Sequence, residues 1–398
     1  MKLIYKQHKT NAVSIPKDWK FKELGSIVDF LDNSRKPIKD NDRLKIQGNI
    51  PYYGASGIVD YINDFLFDED LILLGEDGEN IISRNSRLAF KITGKSWVNN
   101  HAHVLRVHQE VDINYLSEYL ESLNYEQYNT GTAQPKLNKS TCLGIPVLLP
   151  PRVEQRAIAT ALNDMDALLE SLNSLIAKKR AIKQATMQQL LSGKTRLSGH
   201  KGKWHTKQLG ELSEIRSGGT PSTSDKSAWS GEIPWCTPTD ITALNGKKYL
   251  SQTSRSITEH GLRTSSAELI PKNSIIMTTR ATIGECAINL VPMATNQGFK
   301  NIIPSNQIDT EFLYYLLSIH KQKLACLASG STFLEIGKEQ LRQITLFIPC
   351  SKEEQTDISN TIGDMDSEIE ALNRNIEKKT SIKQAMMQEL LTGRTRLI

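Results

Sequence analysis

Residues 154–197 recur at 354–397, two hundred positions later, and 24 of the 44 aligned residues are identical. Glu154-Gln155 matches Glu354-Gln355, Asp164-Met165-Asp166 matches Asp364-Met365-Asp366, and Thr195-Arg196-Leu197 matches Thr395-Arg396-Leu397. A repeat of this kind dominates any reading of the fold, because each copy must form the same unit. Outside it the likeness is faint. Trp19, Lys22 and Leu24-Gly25 correspond to Trp204, Lys207 and Leu209-Gly210, VDINYLSEYL (111–120) to IDTEFLYYLL (308–317), and Gly131-Thr132 and Pro150 to Gly330-Ser331 and Pro349. Between these anchors the halves share almost nothing. The chain therefore divides into a variable region at 1–150, a repeated segment at 151–197, a second variable region at 198–349 and the second repeated segment at 350–398.

The repeated segments read as helices. Ile158, Leu162, Met165, Leu169, Leu172 and Ile176 are spaced 4, 3, 4, 3, 4, as are Ile358, Ile362, Met365, Ile369, Leu372 and Ile376. That is a seam of period 3.5, the coiled-coil pattern. No proline interrupts either segment, and Gly193 and Gly393 supply stops. A lone helix cannot bury such a seam. Residues 151–197 carry 8 basic and 4 acidic side chains, residues 349–398 carry 7 and 9, so opposite net charges favour pairing with each other. An antiparallel pair with one globular region at each end is expected; the alternative packs each helix on its own globular region.

Composition narrows the rest. With 398 residues, 38% hydrophobic, the chain has room for two to four domains. No apolar stretch approaches the ~18 residues of a membrane span, and MKLIYKQHKT (1–10) has no apolar core of a secretion signal. The five scattered cysteines contain no Cys-x-x-Cys and suit a reducing cytoplasm. Both variable regions read as α+β: LILLGEDG (71–78), AFKIT (89–93) and HVLRV (103–107) as strands, 111–123 as an amphipathic helix, with SIIMTTR (274–280), CAINLV (286–291) and FLYYLLSIH (312–320) repeating the style.

The net charge of +5 is too weak to identify a partner, but the charge is patterned. Residues 80–109 contain no acid, while holding Arg84, Arg87, Lys91, Lys95, Arg106 and three histidines. Segments 241–258 and 286–308 are also acid-free, with Lys247, Lys248, Arg255 and Lys300. Basic loops of this sort attract phosphate backbones. Motifs for chemistry fail on inspection. Gly193-Lys194-Thr195 resembles the end of a phosphate-binding loop, but the loop's first glycine would fall at Gln188. His101-x-His103 lacks a third metal ligand at recognisable spacing, and GEDG (75–78) reads as a turn before it reads as a cation site. The chain has the character of a non-catalytic recognition scaffold.

Several strings carry a family resemblance over essentially the whole chain. GTAQPKLNK (131–139) followed by IPVLLPPRVEQRAIA (145–159), SGGTPSTS (217–224) with IPWCTPTDI (233–241), TTRATIGECAI (278–288) and TNQGFK (295–300), and PYYGASGIVDYI (51–62) with LLGEDG (73–78) resemble the specificity subunits of type I restriction–modification enzymes. Both helices end in that family's LL-S/T-G-K/R-T-R-L pattern; SGSTFLEIGKEQL (329–341) departs by lacking the Gln-Pro of the first copy. The resemblance implies two target-recognition domains, each reading half of a split double-stranded DNA target, and a helix pair that sets the gap. It implies two methyltransferase subunits and two restriction subunits as partners, with S-adenosylmethionine, ATP and magnesium belonging to them and no cofactor or metal on this chain.

Arg and Lys grip guanine and Asn and Gln grip adenine in the major groove. On that chemistry the expected DNA-contacting residues are Arg84, Arg87, His101 and His103 in the first domain, with Gln134 and Lys136 in its terminal loop. In the second domain they are Thr220, Thr239, Arg280, Thr282, Asn296, Gln297 and Lys300. Two other readings remain: a coiled-coil adaptor joining two protein-binding domains, and a recognition fragment separated from a fused methyltransferase–nuclease.

Overall fold

The computed structural model describes residues 15–280, 282–328 and 335–397, with Leu327 described by its backbone alone. The 1–10 segment and positions 329–334 of the second terminal-loop string lie outside the described residues. Compactness cuts the chain otherwise than the repeat does. One unit is Met1–Ser174 with Arg374–Ile398, the other Leu175–Asn373.

In the first unit, β1 (Lys20–Glu23) pairs antiparallel with β10 (Pro146–Leu149), tying the two ends of the variable region together. Between them β2 (Val28–Phe30), β6 (Leu71–Gly75), β7 (Ala89–Ile92) and β9 (Ala102–Val107) form an antiparallel sheet in the order β2-β9-β6-β7. A second sheet runs β4-β3-β8-β5, from β3 (Gln47–Gly54), β4 (Gly57–Ile62), β5 (Phe67–Asp68) and β8 (Lys95–Val98). The unbroken apolar run of β6 follows from burial on both faces. Ile72 and Leu74 face a core with Leu105, Tyr115, Leu116 and Ile158, while Leu71 and Leu73 face another with Val98 and Val104. Helix α1 (Ile113–Glu121) starts at Asp112, whose carboxylate accepts from the Asn114 and Tyr115 amides.

The second unit repeats the scheme. Strand β11 (Trp204–Gln208) pairs with β20 (Thr345–Pro349). One sheet is built from β12 (Ser213–Ser217), β14 (Tyr249–Leu250), β16 (Ile275–Thr278), β17 (Cys286–Asn289) and β19 (Phe299–Pro304), in the order β12-β19-β16-β17-β14. Its first four strands match β2-β9-β6-β7, with β14 added at the edge. The other sheet joins β13 (Trp229–Cys236), β15 (Arg255–Ile257) and β18 (Ala294–Thr295). The FLYYLLSIH run is helical up to Ile319, in the helix Thr310–Ile319, which is capped by Asp309 as α1 is capped by Asp112.

The repeated segments form two 39-residue helices, Arg152–Leu190 and Lys352–Leu390, each about 58 Å long at 1.5 Å per residue. Past their ends Gly193 and Gly393 take φ of +69° and +74°, where glycine carries no steric penalty. Each helix contributes to both units, and the pairing is visible inside each. In the second unit Lys179 meets Glu368 at 2.7 Å and Lys183 meets Asp366, so rising numbers on one helix meet falling numbers on the other. In the first unit Lys383 meets Asp166 at 2.6 Å, the same pair with the copies exchanged. The helices run antiparallel.

Seam burial is uneven. Ile158 and Leu162 enter the core of the first unit beside Leu390 and Leu391, and Ile358 and Ile362 enter that of the second beside Leu190 and Leu191. Ile176 and Ile369 are buried, whereas Met165, Leu169, Leu172, Met365, Leu372 and Ile376 are half-buried. Packing on the globular region, the alternative reading, thus holds for the first two seam positions of each helix, where the end of the other helix joins the same core.

The repeat also explains its own identities. Gln155 accepts from the Asp112 amide and donates to the Pro150 carbonyl; Gln355 does the same with Asp309 and Pro349. Glu154, fully buried, takes the Arg396 guanidinium at 2.6 and 2.8 Å and the Trp19 indole at 3.0 Å. Glu354 takes Arg196 at 2.8 and 2.6 Å and Trp204 at 3.2 Å. The arginine of each repeat serves the glutamate of the other.

Candidate nucleic-acid interface

The stretch at 80–109 is acid-free along the chain but not in space. Arg84 meets Glu121 at 2.8 Å, Lys91 meets Asp70 at 2.8 Å, Arg106 meets Glu69 at 2.6 Å and His101 meets Asp77 at 2.9 Å. Arg87 is held by Glu118 and by Asp166 at 3.2 Å. Antiparallel pairing sets the basic strands β7 and β9 on either side of β6, and the acids come from β6's flanks and from α1. Arg84 takes a left-handed φ of 52°, donates to the Glu121 carbonyl and lies over the Tyr125 ring. Arg84 and Arg87 are thus held in ion pairs, each with part of its side chain still exposed.

His103 corrects the expectation that it reaches DNA. It is 1% exposed, its Nδ1 2.7 Å from Asp32 and its Nε2 2.8 Å from the Leu137 carbonyl. Burial works against its charge, yet Asp32, with the Cys142 thiol and the Leu137 carbonyl, raises its pKa to about 10. A charged His103 donates from both nitrogens and ties the end of the terminal loop to the sheet. Neither nitrogen is left for a metal.

That loop presents the first unit's candidate surface. The Asn129 side chain accepts from the amides of Gly131 and Lys136, and Thr130 donates to the Lys136 carbonyl. Gly131 is obligatory: a Cβ there would lie 1.8 Å from the Gln134 carbonyl oxygen. Gly78 donates to Pro135 and Leu137 donates to the Glu76 carbonyl, so the GEDG turn is the loop's dock. Thr132, Ala133, Gln134 and Lys136 are exposed. Beside the dock opens a cleft of about 510 Å³ lined by Tyr52, Asp77, Asn99 and His101 among others. His101, Gln134 and Lys136 thus share one neighbourhood around residues 76–78.

In the second unit, strings far apart in sequence converge. Gly219 donates to Thr295 and Gly218 to Phe299, and a Cβ on Gly218 would lie 1.9 Å from the Asn296 carbonyl oxygen. Gly218 is required by this close approach of SGGT to TNQG, and Gly219 by its approach to the backbone of Ser266 and Ala267, from which a Cβ would lie 2.3 Å. Trp235 fixes the turn by donating to the Gly219 carbonyl at 2.9 Å. Thr220 bonds to Gln297, and Asn296 spends its carbonyl on the Gly298 amide. Thr279 donates twice to the Gly298 carbonyl, setting Arg280 beside this turn. Thr282 is exposed, its carbonyl accepting from Thr278, and Thr239 is exposed on the short helix Pro238–Ala243.

Lys300 is the second inward correction. It is 6% exposed and pairs with Glu335 at 3.0 Å. Glu335 also takes Arg280 at 2.8 Å, and Arg280 keeps 43% of its side chain exposed. Sequence reasoning passed over Glu335 and Asp32, and took Glu76 only as part of the GEDG turn. The available signal was positional: Glu335 stands where the first copy has Lys136, 199 residues earlier.

The profile of the type I restriction modification DNA specificity domain matches residues 16–179 and again 201–380. The type I restriction enzyme MjaIX specificity subunit of Methanocaldococcus jannaschii is 38% identical over 189 residues, 47% of this chain and 42% of that protein. This chain thus spans about two fifths of that relative's length. The putative MjaX specificity subunit of the same organism aligns over 98% of this chain and 96% of its own length at 23% identity. Among solved structures, the S subunit of a type I restriction–modification system from M. genitalium shares the fold with a TM-score of 0.61 at 16% identity, covering 95% of this chain and 98% of that one. With its recognition fold built twice, each time closed by the other repeat's arginine, and with both halves matched by one profile, the chain belongs to the type I restriction–modification DNA specificity family.

Proposed function

We propose that this chain is the DNA sequence-specificity subunit of a type I complex. Each α+β region reads one half of an asymmetric, bipartite double-stranded target, and the helix pair sets the spacer and docks two methyltransferase subunits. Two restriction subunits complete the assembly. The chain itself is non-catalytic; S-adenosylmethionine, ATP and magnesium serve the partner subunits. The observation that carries this reading is the contrast between frame and surface. The order of four strands in the main sheet, the helix caps and the Glu–Arg–Trp clasp are the same in both units, while the exposed loops that each frame holds up differ. Two unlike readers in one chain suit an asymmetric target, whereas a symmetric dimer reads a palindrome.

Mapping methylated adenines genome-wide, in cells carrying this chain with a type I methyltransferase subunit, tests it. One asymmetric motif in two parts with a fixed gap is expected. A palindrome, or no new methylation, would sink the proposal; the adaptor reading predicts the latter, together with no salt-dependent affinity for DNA.

A further inference from the structure

The strand registers place the two units on a common footing. Leu74 pairs with His103 across β6 and β9, as Met277 pairs with Lys300 across β16 and β19. His103 and Lys300 therefore occupy the same place in the sheet, and both are buried bases. The residue after Gly75, Glu76, corresponds to Thr279; their carbonyls accept from Leu137 and Ile336. The terminal loop thus docks on the same turn in both units, and the chemistry around the dock can be compared residue by residue.

In each unit the dock centres on one half-buried carboxylate between two cations, one buried and one exposed. Glu76 holds Arg35, 13% exposed, at 2.6 Å and Lys136, 47% exposed, at 3.4 Å. Glu335 holds Lys300, its side chain 8% exposed, at 3.0 Å and Arg280, its side chain 43% exposed, at 2.8 Å. The roles are exchanged between segments. In the first unit the acid is on the turn and the exposed base on the terminal loop; in the second the acid is on the loop and the exposed base on the turn. In the first unit Asp32 also meets Arg35 at 3.8 Å and the charged His103 meets Glu76 at 3.9 Å, one further acid and one further base, so in both units one positive charge is left over. Burial places that surplus on the outer cation, since the inner one is shielded from solvent and matched by the acid.

We propose that Glu335 and Glu76 are specificity-determining positioning residues: each aims one exposed cation, Arg280 or Lys136, at the DNA. The inference rests on the DNA-reading function proposed above. One Glu335 oxygen, Oε2, takes one edge of the Arg280 guanidinium, 2.9 Å from Nε and 2.8 Å from Nη2, which orients the group and leaves Nη1 for an acceptor outside. A fixed plane discriminates between base edges, whereas a free one finds phosphate anywhere. A carboxylate beside polyanionic DNA costs affinity, and this geometry gives a reason for it to be there.

The test is selection from a pool of randomised duplexes by the full chain in complex with its methyltransferase subunits. Wild type, Glu335→Gln, Arg280→Ala and the double variant are compared, with melting temperature as a check on folding. Glu335→Gln is expected to lose about tenfold in discrimination at one or two positions of one half-site, within the range a bidentate contact supplies. The other half-site stays unchanged, and the double variant matches Arg280→Ala alone. Glu76→Gln with Lys136→Ala does the same at the opposite half-site. Three outcomes overturn the proposal: an unchanged preference profile, a uniform gain in affinity for all sequences, or an effect of Glu335→Gln that persists without Arg280. A wild-type complex that selects no bipartite sequence removes the underlying function, and with it the proposal, before any substitution is made.

Discussion

A protonated imidazole and a carboxylate share almost no solvent at His103 and Asp32, and each holds the other charged. Burial raises Asp32, but the hydrogen bond and charge of His103, the Val104 amide and the Arg35 charge together more than offset this and keep it below its ordinary 3.8. His103 moves the other way, from 6.5 to about 10. Its contribution to stability is full below about pH 6.5 and is lost as pH rises towards 10; that of Asp32 is present above about pH 3.8 and is lost in acid. The melting-temperature gap between wild type and His103→Gln should therefore be wide at pH 6 and shrink steadily to pH 10. A gap that does not change with pH would mean the imidazole is neutral. Asp32→Asn leaves the imidazolium without its counter-charge and should cost roughly 3–5 kcal/mol at pH 6, measured by denaturant unfolding. A histidine two residues from another invites a metal-site reading; only its inward-facing place on β9 shows that it is a strut.

Among the elements, the long helices carry two kinds of seam in one sequence pattern. Where Ile362 sits, fully buried, it touches the core of a globular unit; where Leu172 sits, it is half-covered. Ile362→Ala should cost about 2–5 kcal/mol, the range for emptying a closed core site. Leu172→Ala should cost less than about 2 kcal/mol, because solvent already reaches the side chain. Separate unfolding curves for the two variants check the contrast. Equal losses would mean that the helix pair is as tightly packed midway as at its ends. The heptad spacing is indifferent to this difference, since it records which face is apolar and not what covers it.

At the scale of the molecule, the proposed ruler is tested by lengthening it. The pairing joins residues near 174 on one helix to residues near 374 on the other, so both must grow together. Four helix-forming residues inserted after Ser174 and four after Asn373 add about 6 Å at 1.5 Å per residue. A base-pair step is about 3.4 Å, which limits the gain to roughly two base pairs. Methylation mapping should return both half-sites unchanged with a spacer longer by one or two base pairs. Altered half-sites with an unaltered spacer would separate the helices from the spacing.

The strands β6, β7 and β9, the helix at 113–121 and the two long helices were legible because period and capping are properties of contiguous residues. The backbone imposes 3.6 or 2 on any stretch that buries one face, whatever lies opposite. The pairing was legible too, since seam and net charge together left each repeat one good partner, and its antiparallel sense followed from the long stretch of chain between the copies. What the chain could not disclose by itself was which acids hold its cations and how much of each cation stays exposed. Arg84, Arg87, His103 and Lys300 look alike in sequence to Arg280 and Lys136. Their neutralising acids, Glu121, Glu118, Asp32 and Glu335, stand 31 to 71 residues away in the chain. Charge acts through space, so only folding, which brings strand beside strand and loop onto turn, decided which bases are spent inside the protein and which face outward.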